Sequence, residues 1–115
     1  MARARIEIAI ARPLEAVFAV VMDAESTARW LPMPVDERRE SPPRRAALSG
    51  RVQEVAWTAA LDLVPAGSRT RVEVTLDFEA AGPRRFVMGP YLLRYRGQWA
   101  RALVKLKRMM EAGEL

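Results

Sequence analysis

The side chains in this sequence that could perform acid or base chemistry are carboxylates and tyrosines. The chain contains no histidine, which excludes a histidine general base, a Ser-His-Asp or Cys-His site and a histidine-ligated metal. Three glycines, Gly82, Gly89 and Gly97, have neither the spacing nor the strand-to-helix context of a phosphate-binding loop. The sequence therefore predicts no metal and no cofactor, and it identifies no catalytic residue.

Four carboxylates lie close together in the second half of the chain: Asp62, Glu73, Asp77 and Glu79. The alternation of the surrounding residues places all four on the outward face of predicted strands. Charges on a solvated face of a sheet commonly pair across strands, and such pairs contribute little beyond solubility. The arrangement therefore favours a surface charge ladder over a functional acid–base pair.

The first third of the chain predicts one strand followed by two short helices. Residues 3–10 alternate between apolar and mostly charged side chains, which is typical of a half-buried strand. Pro13 opens a helix that runs to about Met22, because proline is tolerated in the first helical turn. Asp23 caps a second helix through Trp30, which Pro32 then stops.

The middle of the chain predicts four further strands. Residues 34–50 indicate two short strands separated by Pro42 and Pro43. The next two alternating runs predict a hairpin whose turn centres on Ala66 and Gly67. The predicted cross-strand partners are Trp57 and Leu76, Val55 and Phe78, Leu61 and Val72, Asp62 and Arg71, Ala60 and Glu73, and Glu54 and Glu79.

The last third predicts one long amphipathic helix. Pro90 opens it and Gly113 ends it, so that about 22 residues span roughly 33 Å. Its apolar stripe contains Leu92, Tyr95, Trp99, Ala102 or Leu103, Leu106 and Met110, and its solvent stripe contains Arg94, Gln98, Arg101, Lys105 and Arg108.

Length and composition predict one domain, residues 1–115, in a cytoplasmic protein. The chain lacks a run of the ~20 apolar residues that span a membrane, a secretory signal pattern and any cysteine for disulfides. The net charge of +5 comes from 17 arginines and two lysines. Because the arginines are scattered through every segment and many have acidic neighbours, we do not expect nucleic-acid binding.

The order of these elements is that of the helix-grip fold, and both ends resemble the START-like (SRPBCC) superfamily, in particular its polyketide cyclase/dehydrase-type members. The opening strand leads into an alanine/proline junction, a helix, an aspartate and a tryptophan. Near the end, a hairpin precedes a helix that finishes in a leucine–lysine pair and a glutamate. The matching residues are Ala11, Pro13, Val17, Phe18, Asp23, Trp30, Leu63, Pro65, Gly67, Thr70, Arg71, Val72, Leu103, Leu106, Lys107 and Glu111.

The resemblance implies an α+β, helix-grip (START-like) fold. A curved antiparallel sheet of about five strands would wrap around the long C-terminal helix, with two short helices after strand one. Superfamily members have two more strands directly after the tryptophan, and only a few residues follow Trp30 here before the next predicted strand. Their loss leaves a new sheet edge near residues 34–40, which its charged residues blunt or a second chain covers, giving a homodimer.

The resemblance also implies a groove between the sheet and the long helix, which in the superfamily holds apolar molecules. Trp30, Met33 and Pro34 would lie at its mouth, Tyr91 or Tyr95 would supply hydroxyls, and Arg84 or Arg96 would supply a cation for an acidic ligand. The same apolar residues are also typical of an ordinary core. The predicted lining contains Trp30, Met33, Trp57, Leu76, Phe78, Met88, Tyr91, Leu92, Tyr95 and Trp99.

Three functions are compatible with this interpretation. The first is binding of a small hydrophobic molecule, lipid or polyketide-like, without catalysis. The second is a polyketide cyclase/dehydratase-like enzyme, in which a tyrosine or arginine polarises a carbonyl. The third is a dimeric interaction module whose core is filled by its own side chains.

Overall fold

A computed structural model describes residues 2–41, 44–52, 55–80 and 88–115 of the chain. The strands are β1 (Ala2–Ile10), β2 (Glu37–Ser41), β3 (Arg45–Val52), β4 (Val55–Ala66) and β5 (Arg69–Ala80). The helices are α1 (Leu14–Met22), α2 (Ala24–Trp30) and α3 (Met88–Glu111). All strand pairs are antiparallel, which confirms the predicted α+β architecture.

The five strands lie in the order β1-β5-β4-β3-β2. β1 and β2 are therefore the edges of the sheet, and no strand of the described residues lies between α2 and β2 along the chain. The new edge falls on β2, as the sequence predicted. None of the helices in the described residues is both long enough and apolar enough to cross a membrane.

Local signals determine where α1 and α2 begin and end. The carbonyl of Pro13 accepts from the backbone N–H groups of Ala16 and Val17 at 3.1 and 3.2 Å. The Asp23 carboxylate accepts from the backbone N–H and the hydroxyl of Ser26 at 3.0 and 2.7 Å, which caps α2. These two hydrogen bonds lower the pKa of Asp23, because they stabilise its ionised form.

The turn of the β4–β5 hairpin consists of Gly67 and Ser68, so the predicted centre at Ala66 and Gly67 was wrong by one residue. Gly67 has φ +66°, a conformation that glycine adopts without steric cost. A glycine with positive φ at the first position of a two-residue turn matches the right-handed twist of the flanking strands. The turn therefore forms where the backbone geometry is most favourable.

The predicted register of this hairpin was wrong by two residues as a consequence. Trp57 pairs with Phe78 and Asp62 pairs with Glu73. Because the shift is an even number of residues, every side chain remains on its predicted face of the sheet. The other observed partners are Val55 with Ala80, Ala56 with Glu79, Ala60 with Thr75, and Leu61 with Val74, whereas Glu54 lies outside the described residues.

α3 begins two residues before Pro90 and ends at Glu111. Gly113 has φ +77°, and its N–H and that of Glu114 donate to the carbonyls of Met110 and Met109 at 3.1 and 2.8 Å. This pair of hydrogen bonds is the Schellman pattern of a helix end, and it confirms the predicted role of Gly113.

The core lies between the inner face of the sheet and the three helices. Alternate residues of β3, β4 and β5 face it, while α3 lies mainly along β1. The largest fully buried side chains are Trp30, Trp99, Phe78, Ile10, Leu48, Leu61, Leu76, Leu103, Leu106, Met110, Val17 and Val21.

Candidate functional site

Five aromatic side chains lie together between the sheet and α3, and we call Trp30, Trp57, Phe78, Tyr95 and Trp99 the aromatic cluster. The ring centre of Trp99 is 6.2 Å from that of Trp30 and 5.6 Å from that of Trp57, both edge-to-face. Phe78 and Tyr95 stack with ring centres 5.2 Å apart. All five belong to the predicted groove lining, so the fold brings these predicted residues into one place.

The other predicted lining residues divide into two groups. Met33 and Leu76 are buried in the same core, whereas Pro34 at the predicted mouth is exposed. The side chains of Met88, Tyr91 and Leu92 fall outside the described part of the structure, although their backbones belong to α3. Their place in a groove stays a prediction.

The aromatic cluster is closely packed. Tyr95 is the most exposed of its five members, at 5%. Exposures this low mean that other protein atoms cover these rings almost completely. Five surface depressions with volumes of 330 to 500 Å³ lie elsewhere, on the outer face of the sheet and beside the exposed side of α3.

Three polar groups inside this packed cluster have no hydrogen-bond partner among the described residues. They are the indole N–H groups of Trp30, Trp57 and Trp99, whose Nε1 atoms are fully buried. Buried donors in folded proteins are almost always paired, and each unpaired one costs about 1–3 kcal/mol. The cluster therefore contains three hydrogen-bond donors, close together, that lack acceptor atoms among the described residues.

Arg38 is an inward-facing residue of the sheet that the sequence analysis missed. It pairs with Leu48 in the β2–β3 ladder, so its side chain lies on the inner face of the sheet. Its Nε atom is buried and has no partner among the described residues. The guanidinium also contributes to the lowered pKa of Asp23, as a smaller cause than the Ser26 hydrogen bonds.

The two cations predicted for the groove have different outcomes, and the place of Arg84 stays a prediction. Arg96 is exposed on α3, and Arg84 lies outside the described residues. The alternation of β2 was the available signal for Arg38. It could not be used alone, because the Pro42–Pro43 break concealed which residues of β3 lie opposite β2.

The four carboxylates lie on the outer face of the sheet, as predicted, and three form ion pairs there. Asp77 accepts from Arg3 at 2.8 Å and Asp62 accepts from Arg45 at 2.7 Å. Each hydrogen bond raises the pKa of its arginine. Glu73 pairs with Arg71 at 3.6 Å, and Glu79 is exposed. No group of three or more metal-ligating side chains occurs in the described ranges.

The C-terminal end of α3 is attached to the end of β1 and to the residue that follows it. Lys107 donates from Nζ to the carbonyl of Ala9 at 2.8 Å and to Glu111 Oε2 at 2.7 Å. The same carboxylate oxygen accepts from the N–H of Ala11 at 2.8 Å. The hydrogen bond from Lys107 and, to a smaller extent, that from Ala11 lower the pKa of Glu111. The lysine and glutamate that carried the sequence resemblance thus have a structural role.

Comparison with known proteins gives structural neighbours only. No family model and no curated protein matches the chain. The chain is similar to one half of the di-domain ARO/CYC protein BexL (TM-score 0.73, 17% identity), covering 96% of this chain and 47% of BexL. A START superfamily protein from Mycobacterium smegmatis matches with TM-score 0.56 and 17% identity over 90% of this chain and 92% of that chain.

A third neighbour is the Aha1 dimer from Colwellia psychrerythraea, with TM-score 0.64 and 12% identity over the full length of both chains. At identities this low the similarity establishes the fold alone. The five-stranded antiparallel sheet, the two short helices after β1 and the long C-terminal helix agree with it. The chain therefore has the START-like, helix-grip fold.

Proposed function

We propose that this chain binds a small apolar molecule that carries hydrogen-bond acceptors, such as a lipid or a polyketide-like compound, between the sheet and α3, without catalysis. The observation that carries the proposal is the group of three unpaired indole N–H donors in the aromatic cluster. Carbonyl or hydroxyl oxygens on an apolar ligand would pair these donors and recover the free energy that their burial costs. Ligand sites of this kind combine an apolar lining with a few polar groups.

The position of Arg38 supports the proposal that the same ligand carries an acidic or strongly polar group. A guanidinium on the inner face of a sheet prefers a carboxylate or a polarised oxygen as partner. Its Nε atom is buried and unpaired among the described residues. A ligand with an apolar body and one polar end would contact both the indoles and this cation.

Binding requires the aromatic cluster to open, since other protein atoms cover its rings almost completely. The C-terminal end of α3 is attached through Lys107 and Glu111. Tyr95 and Trp99 lie about 12 Å or more along the helix from Lys107, at 1.5 Å per residue. A movement of α3 about its attached end would separate these rings from Trp57 and Phe78 while the attachment is kept.

Native mass spectrometry tests the proposal. The purified protein should carry a discrete additional mass, or acquire one when incubated with palmitate or with the anthraquinone emodin. Trp99→Phe keeps an aromatic ring but deletes one N–H donor, so it should reduce ligand retention. Leu103→Val is the control, because Leu103 is equally buried on α3 and has no polar side-chain atom. Equal retention by Trp99→Phe and the wild type would exclude Trp99 from the site.

The low exposure of the aromatic cluster favours a second candidate, an interaction module with a filled core that dimerises through the β2 edge. β2 is a short edge strand whose described side chains, Glu37, Arg38, Arg39 and Glu40, are all charged. The same mass spectrum separates the two candidates. A bare dimer that acquires neither palmitate nor emodin would favour the interaction module. The four outward-facing carboxylates supply no acid or base for the cyclase-type alternative, which would have to rely on a tyrosine or an arginine.

A further inference from the structure

The net positive charge of the chain is located on α3. This helix carries six of the 19 lysine and arginine residues and one of the 14 acidic residues. The remainder of the chain therefore carries thirteen of each, so its formal charge is zero. The charge of +5 belongs to one helix.

Lys107 of α3 forms an ion pair with Glu111, but three other cations of this helix have no ion-pair partner among the described residues. The sheet arginines Arg3 and Arg45 lie 2.8 and 2.7 Å from carboxylates. Arg94, Arg101 and Arg108, which we call the arginine row, are exposed and form no ion pair within the described part of the chain. They are seven residues apart, so they lie along one side of α3.

An apolar line runs beside the arginine row on the outward surface of α3. It consists of Leu93, Gly97, Ala100 and Val104, which we call the α3 seam. Leu93 is 73% exposed and Val104 is 55% exposed, and both point away from the sheet. Spacings of four, three and four residues are those of the a and d positions of a coiled coil. The arginine row then occupies the e positions, which pair with charges on a facing helix.

We propose that the α3 seam and the arginine row form a docking surface for an acidic amphipathic helix of a partner protein. The positive charge without local counter-charge selects an acidic partner. A second copy of this chain does not fit, because it would place two arginine rows side by side.

Two other polyanions fit this surface less well. Single-stranded nucleic acid is disfavoured because the only large exposed apolar residues of the described chain, Leu93 and Val104, are not aromatic and cannot stack on bases. An anionic membrane is disfavoured because interfacial helices insert several bulky side chains. The middle of the seam carries Gly97 and Ala100, which instead permit close approach of another helix.

The test uses a fluorescent synthetic peptide of three heptads with leucine at a and d and glutamate at e and g. A peptide with glutamine in place of every glutamate is its control. The wild-type protein should bind the acidic peptide, and binding should weaken with added salt. Substituting the row (Arg94→Gln, Arg101→Gln and Arg108→Gln) should lower the affinity about tenfold, since each exposed ion pair contributes modestly.

A matched variant changes the same charge on the opposite side of the molecule. Arg3→Gln, Arg45→Gln and Arg71→Gln together should leave the affinity within about threefold of the wild type, because only long-range, salt-screened attraction changes. Circular dichroism checks that both variants are folded. The proposal is overturned if the wild type does not bind the acidic peptide or if both variants lose affinity equally. Tighter binding to phosphatidylserine vesicles or to duplex DNA also overturns it, in favour of that partner.

Discussion

Gly50→Ala should destabilise this protein strongly, because no space exists for one additional methyl group. Gly50 lies on the inner face of β3 opposite Trp57. A β-carbon there would collide with the carbonyl oxygen of Pro34 and lie 2.9 Å from Cζ2 of Trp57. Carbon atoms in favourable contact are about 3.5–4.0 Å apart. Either β3 or both neighbours must therefore move.

The expected cost is in the upper part of the range for overpacked cores. Such substitutions typically cost about 1–3 kcal/mol. Neither neighbour can yield easily here: one contact is a backbone atom, and the other is a ring that is 2% exposed and packed against Trp99. With a urea m value of about 1–3 kcal/mol/M, the unfolding midpoint should fall by roughly 1 M.

Gly97→Ala is the control for this measurement. A β-carbon at Gly97 would meet only the guanidinium of Arg101 at 3.5 Å, an ordinary contact. This glycine therefore does not serve close approach of the sheet, and its replacement should stabilise α3 by about 1 kcal/mol through helix propensity. Urea unfolding followed by tryptophan fluorescence measures both variants. If Gly50→Ala were as stable as the wild type, the described packing of Pro34, β3 and Trp57 would be wrong.

Two further predictions concern polar contacts near the ends of the helices. The pKa values of Asp23 and Glu111 are lower in the folded than in the unfolded chain. The two carboxylates therefore contribute their full stability above the ordinary carboxyl pKa of about 4. This contribution is lost as the pH falls through the folded pKa values. Urea unfolding between pH 6 and pH 3 should show that the free energy of unfolding decreases, and the decrease should be smaller for Asp23→Asn. If the pH dependence of that variant equalled that of the wild type, the lowered pKa of Asp23 would be contradicted. Thr70→Val should cost about 1–3 kcal/mol, because the buried Thr70 hydroxyl donates to the carbonyl of Arg12 at 2.8 Å and valine leaves that carbonyl unpaired. Thr58→Val, on the outer face of β4, is its control in thermal unfolding and should be nearly neutral.

The positions of the helices and strands could be read from the sequence because the signals for them are local. Asp23 hydrogen-bonds to a residue three positions away, and Gly113 ends α3 through its own backbone conformation. Alternation places Asp62 on the outer face and Trp57 on the inner face, and both assignments are confirmed. Face assignments of this kind depend on alternation along one strand. They were therefore correct although the predicted hairpin register was wrong.

The candidate site was predictable in part for the same reason. Trp57, Tyr95 and Trp99 were assigned to the space between sheet and helix from their periodicity, and the fold brings them together. Their unpaired indole N–H groups could not be predicted, since pairing depends on every residue that surrounds them. Arg38 was missed because its face depends on the register of β2 against β3.

The sequence by itself determined the order of the elements, their ends to within about two residues, the buried side of each and the total charge. Those properties follow from spacing and from the conformational preferences of proline, glycine and capping residues. Only the tertiary structure decided which residues meet. It gave Asp62 the partner Arg45 in place of Arg71, and it left Arg94, Arg101 and Arg108 of α3 without a carboxylate partner among the described residues. Such pairings depend on registers and crossings between segments far apart in the chain, for which no local preference exists.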